Sequence, residues 1–242
     1  MVKKIAIIFA GGTGARMGND GKPKQFLVVE GKPIFIHTLQ FFEKHSEIDE
    51  IYVAMKKEFI DITKELLKEF NINKVVDIVA GGETGQDSIY NALSAAKKNN
   101  NDDSIVLIHD GVRPLISKDL ITKNIRSVEK YNSGITSTSC VETVIISKNG
   151  KQIDNIPIRK NTYLAQAPQS FRLGDVIALH DKERILENPY ENIVDTCTLY
   201  EKYGKDIVLV EGERGNIKIT TPEDYFLFKA LLNYRESLEV FR

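Results

Sequence analysis

Apolar residues along the chain fall into short continuous runs that alternate with amphipathic segments. The runs predict buried strands over 5–10, 50–55, 74–80 and 104–110. Runs this apolar are typical of parallel strands that are covered on both faces. The segments between them have helical spacing and polar outer faces, over 33–45, 57–70 and 87–98. The alternation predicts an α/β fold with a doubly wound, mostly parallel sheet, in which ligands bind at the carboxyl ends of the strands.

This pattern changes near residue 134. Two β-rich runs flank "KNGKQ", whose Asn149-Gly150 pair is typical of a hairpin turn. We therefore expect a β-arm at about 140–166 that protrudes from the sheet. Beyond it the pattern predicts a helix near 192–203, strands over 206–212 and 216–220, and a closing helix with Thr221 as N-cap and Pro222 at its first position. With no repeats or linkers in the pattern, we expect a single domain over 1–242.

Composition narrows the possible functions. The 242 residues carry a formal net charge of −1, which argues against a nucleic-acid binder that uses a broad basic surface. Cys140 and Cys197 lack the spacing of a metal site or a disulfide framework, so we expect free thiols and a cytoplasmic location. The apolar stretch near the N-terminus is short and runs into glycines, which favours a first strand over an export signal. We expect no membrane-spanning segment.

The first predicted strand runs directly into "AGGTGARMGNDGKPKQ", residues 10–25. Glycines let backbone N–H groups approach an anion closely, and a strand followed by such a loop suggests phosphate binding. The dinucleotide-binding pattern fails at Met17, and the P-loop pattern is missing from the sequence. Arg16, Lys22 and Lys24 could neutralise a triphosphate during phosphoryl or nucleotidyl transfer. The alternative is a solvated surface loop with ordinary basic residues.

Five sequence blocks carry a resemblance to a known family. They are "AGGTGARMG…PKQF" from residue 10, "GGETGQDSI" (81–89), "HDGVRP" (109–114), "IPIRKNTYLAQAPQSF" (156–171) and "GNIKITTPED" (215–224). In this order, over almost the whole chain, they resemble the cytidylyltransferases that make CDP-alcohols. That family includes 2-C-methyl-D-erythritol 4-phosphate cytidylyltransferase and ribitol-5-phosphate cytidylyltransferase. The resemblance implies a Rossmann-like nucleotide-diphospho-sugar transferase fold.

The resemblance also implies a reaction and a set of site residues. In this family an alcohol phosphate attacks the α-phosphorus of CTP, releasing pyrophosphate, and catalysis comes from positioning and from cations. The implied catalytic residues are Arg16, Lys24 and Lys218. The implied nucleotide-binding residues are Ala10, Gly11, Gly12, Thr13, Gly14, Gly82, Ser88 and Asp110, and the implied substrate-binding residues are Arg113, Thr143 and Arg159.

Two further expectations concern a metal and a second subunit. Asp110 ends a predicted strand, and we expect it to bind Mg²⁺ or another divalent cation; the alternative is a turn cap or a partner of Arg113. We interpret the neighbouring His109 as structural. In the family the arm crosses to a second subunit, so we expect a homodimer in which Arg159 completes the neighbour's site.

The acceptor alcohol is the least determined part of the hypothesis. The threonine in "AGGTGARMG" and the valine in "HDGVRP" favour the branch that uses D-ribitol 5-phosphate. Ala167 and Glu142 depart from the family's usual threonine and aspartate. The alternatives are 2-C-methyl-D-erythritol 4-phosphate, another polyol phosphate, another nucleoside triphosphate, and a non-catalytic nucleotide-binding protein. The ribitol branch implies a role in wall or capsule polymer synthesis and a partner reductase that forms ribitol 5-phosphate.

Overall fold

A computed structural model describes residues 2–11 and 23–240 of the chain. Its main sheet contains the strands β1 (Lys4–Phe9), β4 (Glu50–Met55), β5 (Val75–Ala80), β6 (Ile105–Asp110), β7 (Ser133–Ser139), β8 (Tyr163–Arg172) and β9 (Leu209–Glu211). A separate small hairpin pairs β2 (Val28–Val29) with β3 (Lys32–Pro33). The α-helices are α1 (Ile34–Glu43), α2 (Ile60–Glu69), α3 (Gly85–Lys97), α4 (Lys118–Tyr131), α5 (Leu173–Arg184), α6 (Thr196–Lys202) and α7 (Pro222–Val240). Within the two described ranges, none of these helices has the length and apolarity needed to cross a membrane.

The strand order in the main sheet is β5-β4-β1-β6-β8-β7-β9. The first four strands run parallel, β8 runs antiparallel to both of its neighbours, and β9 is parallel to β7. The sheet is thus mostly parallel, as the apolar runs predict.

Helices cover both faces of this sheet. Along β1, Ala6 and Ile8 pack with α1, α2 and α4 on one face, while Ile5 and Ile7 pack with α3, α5 and α6 on the other. Side chains alternate between the faces of a strand, so a strand covered on both faces must be apolar at every position. This confirms the doubly wound arrangement.

The carboxyl ends of the central strands meet at one edge of the sheet. Phe9 of β1 pairs with Ala54 of β4 on one side and with Asp110 of β6 on the other. Asp110 therefore lies beside the point where the glycine-rich segment leaves β1. The loop that follows β5 and the turn that follows β6 begin at this same edge.

Several predicted elements differ from the structure. The strand predicted over 206–212 is reduced to β9. The helix predicted from 192 begins at Thr196, because Tyr190 and Asn192 have positive φ angles of 62° and 61°, which a helix does not allow. Residues 216–220 form no strand. Helix α7 begins at Pro222 as predicted, with the Asp224 carboxylate accepting the N–H groups of the two preceding threonines.

The predicted arm corresponds to residues 140–162, between β7 and β8, and its last four predicted residues belong to β8. A single antiparallel bridge joins Ile146 to Asn155, so two long paired strands do not form within this segment. Gly150 has a φ of 69° in the predicted turn, and Asn149 Oδ1 accepts the N–H groups of Lys151 and Gln152. The chain therefore reverses direction around Asn149 and Gly150, through a longer loop between Ile146 and Asn155 and not through a two-residue hairpin turn.

Candidate active site

A cleft of about 390 Å³ opens at the carboxyl edge of the sheet. Its lining comes from the ends of β1 and β6, the first turn of α3, the middle of β8, the start of α6 and the segment before α7. The lining residues are Phe9, Gly85, Gln86, Ile89, Ile108, Asp110, Arg113, Ala165, Gln166, Ala167, Gln169, Val194, Asp195, Thr196 and Lys218. The cleft thus lies where ligands bind in doubly wound sheets.

Asp110 is paired with two cations in this cleft. Lys218 Nζ lies 2.6 Å from Asp110 Oδ1, and Arg113 Nη2 lies 3.3 Å from Asp110 Oδ2. Burial alone would raise the pKa of Asp110, but the positive charges of Arg113 and Lys218 outweigh it and hold that pKa below its usual value. Asp110 is therefore an anion at neutral pH. The sequence predicts these three residues for one site, and the structure brings them together.

Arg113 is fixed from two further directions. Its Nη1 donates to the backbone oxygen of Asn216 at 2.6 Å, and its own backbone oxygen lies 3.1 Å from His109 Nε2. Burial and the charge of Arg113 lower the pKa of His109 to about 4, so this imidazole is neutral. His109 lies inside the protein behind the cleft, in agreement with a structural role.

Asn216 connects the extended segment before α7, which contains Lys218, to β8. Its side-chain Nδ2 donates to the backbone oxygen of Ala167 at 2.7 Å, and the side chain is fully buried. Two residues later in the chain, Ile219 N–H donates to the Val112 oxygen at 2.9 Å. These isolated bonds hold an extended segment without a strand ladder, and they place Lys218 beside Asp110. Asn216 was not singled out from the sequence, although it lies in a motif block.

The loop between β5 and α3 is organised by Ser88. Its hydroxyl donates to the Thr84 oxygen at 3.0 Å and accepts the Gly82 N–H at 3.1 Å. The N-cap of α3 is Thr84, which forms a capping box with Asp87. A Cβ at Gly82 would overlap that of Asp87, so glycine is needed there. Since the Ser88 proton is already donated within the loop, base recognition by this hydroxyl stays a prediction.

The glycine-rich segment lies mostly outside the described residues, and with it Gly12, Thr13, Gly14 and Arg16. Its two flanks are described. Ala10 N–H donates to the Ala54 oxygen at 2.8 Å, and a Cβ at Gly11 would lie 3.3 Å from Ser88 Oγ. On the other side, Gln25 Nε2 donates to the Ala10 oxygen at 3.2 Å. This bond places Lys24, the first residue of a short 3₁₀ turn, next to the end of β1.

Thr143 and Arg159 do not join this group. Both are exposed on the arm, and neither lines the cleft. Arg159 Nη1 contacts the Val141 backbone oxygen at 3.3 Å, within the arm itself. Their predicted contact with substrate is therefore not made inside one copy of the chain.

The described residues do not by themselves fit a magnesium ion. The cleft lining supplies two carboxylates, Asp110 and Asp195. Both oxygens of Asp110 already accept from Lys218 and Arg113, and both oxygens of Asp195 accept from Gln169 and Thr198. No group of three or more histidine, cysteine, aspartate or glutamate side chains able to hold a metal occurs within 2–11 and 23–240. Asp110 as a metal ligand stays a prediction, which requires Lys218 to move away.

Comparisons with known proteins identify the family of the chain. A model of the family described as IspD, 2-C-methyl-D-erythritol 4-phosphate cytidylyltransferase, matches residues 4–234. A ribitol-5-phosphate cytidylyltransferase from Vibrio parahaemolyticus is 45% identical over 98% of this chain and 99% of the relative. A 2-C-methyl-D-erythritol 4-phosphate cytidylyltransferase from Clostridium botulinum is 39% identical over 96% of this chain and 98% of the relative.

A solved structure extends the likeness to three dimensions. The crystal structure of 4-diphosphocytidyl-2C-methyl-D-erythritol synthase from Anaerococcus prevotii superposes with a TM-score of 0.81 at 32% identity, covering 96% of each chain. Sequence, fold and the cationic cleft at the sheet edge therefore lead to one conclusion: the chain belongs to the IspD family of CDP-alcohol-forming cytidylyltransferases.

Proposed function

We propose that this protein transfers CMP from CTP to D-ribitol 5-phosphate, giving CDP-ribitol and pyrophosphate. The observation that carries the proposal is the set of Lys218, Asp110 and Arg113 in a cleft at the carboxyl edge of the sheet. The choice of acceptor is supported by the 45% identity to a ribitol-5-phosphate cytidylyltransferase, against 39% to a relative that uses methylerythritol phosphate. Ala167, where the family usually has threonine, lines the cleft, so this departure from the family falls within the candidate site.

The geometry suits an in-line transfer without a covalent enzyme intermediate. A phosphate oxygen of the acceptor forms a bond to the α-phosphorus of CTP, and the bond to the bridging oxygen of pyrophosphate breaks with its electron pair. Near neutral pH a phosphate monoester is already ionised and needs no general base, since its second pKa is about 6. The chain's task is to hold two anions together and stabilise the added negative charge. Lys218 suits this role because its flexible side chain lines the cleft and is 43% exposed.

The experiment that tests this proposal is pyrophosphate release from CTP, with D-ribitol 5-phosphate compared against 2-C-methyl-D-erythritol 4-phosphate. We expect turnover to depend on the polyol phosphate and to favour ribitol 5-phosphate. UTP and ATP serve as nucleotide controls. A preference for methylerythritol phosphate would move the protein to the other branch of the family. CTP binding by calorimetry without turnover on any polyol phosphate would support the non-catalytic alternative.

We further infer that the arm pairs with a second copy of the chain. Branched apolar side chains are about half exposed or more along it: Val141, Ile145, Ile146, Ile153, Ile156 and Ile158. A patch of this kind on a protein surface marks an interaction site. Thr143 and Arg159 lie on the same segment, so an arm that reaches the neighbouring copy could deliver both to its cleft. In a twofold dimer each copy would complete the other's site.

This arrangement predicts rescue between two inactive variants. Arg159→Ala and Lys218→Met should each be nearly inactive alone. After co-refolding at equal amounts, half of the dimers are mixed and each has one intact site, so we expect about a quarter of the wild-type activity. Pyrophosphate release before and after mixing measures the rescue. If each site belongs to one copy, mixing will restore nothing.

Four remaining proposals follow from the family. We infer that a divalent cation such as Mg²⁺ accompanies the triphosphate, whose oxygens would supply most of its ligands. We also infer a cytoplasmic location and a role in wall or capsule polymer synthesis. A reductase that forms ribitol 5-phosphate is the proposed functional partner.

A further inference from the structure

The cleft is lined by two chemically different groups of residues. Arg113 and Lys218 belong to segments whose neighbours, Val112 and Ile219, pack with Ile34 of α1. Gln86 of α3 and Thr196 of α6 come from helices that cover the other face of the sheet. One side of the cleft thus carries both cations, and the other carries none: its charged group is the Asp195 carboxylate, which accepts hydrogen bonds from Gln169 and Thr198.

Three cleft-lining residues have a buried polar atom without a hydrogen-bond partner among the described residues: Gln166 of β8, and Gln86 and Thr196 on the side without cations. Gln86 is 3% exposed and Thr196 is 1% exposed. Gln86 Oε1 and Thr196 Oγ1 have no hydrogen-bond partner within the part of the chain that the structure describes. Buried polar groups are almost always paired, so three exceptions that line one cleft call for an explanation.

The backbone around Thr196 is firmly held. Asp195 caps α6 by accepting the Thr198 N–H at 3.0 Å, and it accepts Gln169 Nε2 at 3.0 Å. Gln169 Oε1 in turn accepts the Cys197 N–H at 2.9 Å. Thr196 therefore lies between two residues that are both tied to β8, and its free hydroxyl is held at a fixed place in the lining.

Gln86 is held in a similar way. It lies in the first turn of α3, directly before Asp87 of the capping box. Asp87 also pairs with Arg184 of α5 at 2.5 Å, which anchors this turn to a neighbouring helix. Both atoms are buried in the free protein, and both turns are fixed by bonds that leave these two side chains out. A rotation of either side chain into the cleft would therefore let a ligand pair its polar atom without moving the helix.

We propose that Gln86 Oε1 and Thr196 Oγ1 bind hydroxyl groups of the substrates. This inference rests on the proposed function, which supplies two substrates made of phosphate groups and hydroxyl-bearing carbon chains. The phosphates are drawn to Arg113 and Lys218 and repelled by the Asp195 carboxylate, which leaves the neutral hydroxyl-bearing parts for the side without cations. An amide oxygen accepts a hydrogen bond from a hydroxyl, and a threonine hydroxyl can donate or accept one.

Such contacts would contribute to specificity. A site built to pair a substrate hydroxyl discriminates strongly against an analogue that lacks it, because the buried protein atom is then left unpaired. The hydroxyl could belong to the ribose of CTP or to the polyol chain. Kinetics with each substrate varied in turn distinguishes these two sources.

The test uses Thr196→Val and Gln86→Met, two substitutions that keep side-chain size and remove the polar atoms. We expect kcat/KM to fall at least tenfold for one substrate in each variant. A rise in the KM for ribitol 5-phosphate assigns the contact to the polyol, and a rise in the KM for CTP assigns it to the ribose. The unfolding temperature should stay the same or increase, because a buried unpaired group has been removed. A variant that merely folded poorly would not show a higher KM together with an unchanged or higher unfolding temperature.

Thr122→Val is the matched control. Thr122 lies on α4, away from the cleft, and its hydroxyl bonds to the Lys118 oxygen of the same helix and to His45, which follows α1. Its removal should leave both KM values unchanged. Calorimetric titration of CTP and of ribitol 5-phosphate into the wild type and the variants adds a readout that needs no turnover. Equal affinities and kcat/KM values within twofold for both cleft variants would overturn this inference. A wild type that releases no pyrophosphate would instead refute the proposed function.

Discussion

Replacing Lys218 by methionine should lower kcat at least a hundredfold and leave the fold intact. Its ammonium group lies 2.6 Å from Asp110, and its side chain is 43% exposed, so the charge can move to a phosphate bound in the cleft. Removing one preorganised charge from a site of this kind costs about 10²–10³ in turnover. The cost in stability should be small, because Asp110 keeps Arg113 and the aliphatic part of the side chain is retained. Steady-state pyrophosphate release and a thermal melt measure the two quantities.

The effect should be specific to this lysine. Lys68→Met removes an exposed charge on α2 and should leave kcat within twofold of the wild type. Lys218→Arg keeps the charge with a longer, planar head, and we expect it to recover only part of the turnover. If Lys218→Met retains more than a fifth of the wild-type kcat, its role in charge stabilisation is wrong.

The location of the site was predictable because it follows from the sheet. Parallel strands buried on both faces produce uninterrupted apolar runs, and the order of those runs fixes which edge carries the carboxyl ends. Asp110 directly ends such a run, so its place could be deduced without knowledge of its partners. Lys218 was indicated by the motif block around it, since a lysine in an extended segment does not by itself indicate a site.

Pairing between distant residues was not predictable in the same way. Ile217 and Ile219 alternate with polar residues as in a strand, yet the segment is held by Arg113 and Val112. Asn216 owes its role to the backbone oxygen of Ala167, 49 residues earlier in the chain. Composition and spacing do not encode such a contact.

The same limit explains why the sequence did not indicate Thr196 and Gln86 as site residues. Thr196 lies inside a predicted helix. Gln86 lies in a loop in which the glycines and the serine, not the glutamine, are implied as site residues. Each has a buried polar side-chain atom without a hydrogen-bond partner among the described residues. Such an absence becomes visible only when every neighbouring group has been placed.

Replacing Asp110 by asparagine should abolish most turnover and also destabilise the fold. The carboxylate is buried, and its removal leaves the buried Arg113 without a counter-charge. Breaking a buried ion pair from one side costs about 3–5 kcal/mol. We expect the lower end of this range, because Arg113 keeps its bond to the Asn216 oxygen and Lys218 can extend into water. Urea unfolding at pH 7 measures the loss.

The pH dependence of this loss separates the charge from the shape of the side chain. Because the pKa of Asp110 is lowered in the folded state, its contribution to stability is present above the unfolded-state pKa of about 3.9. That contribution is lost as the pH falls through the lower, folded-state value. The stability difference between wild type and Asp110→Asn should therefore be largest near pH 7 and shrink below pH ~4.

A surface aspartate provides the comparison for this last prediction. Asp61 forms an exposed pair with Lys64 on α2, so Asp61→Asn should change stability little at either pH. A difference for Asp110→Asn that is equally large at both pH values would mean that packing, and not charge, is responsible. The observed geometry predicts the opposite, because Asp110 has a cation on each of its two oxygens. Its negative charge is what holds Arg113 and Lys218 together in the cleft before any phosphate arrives.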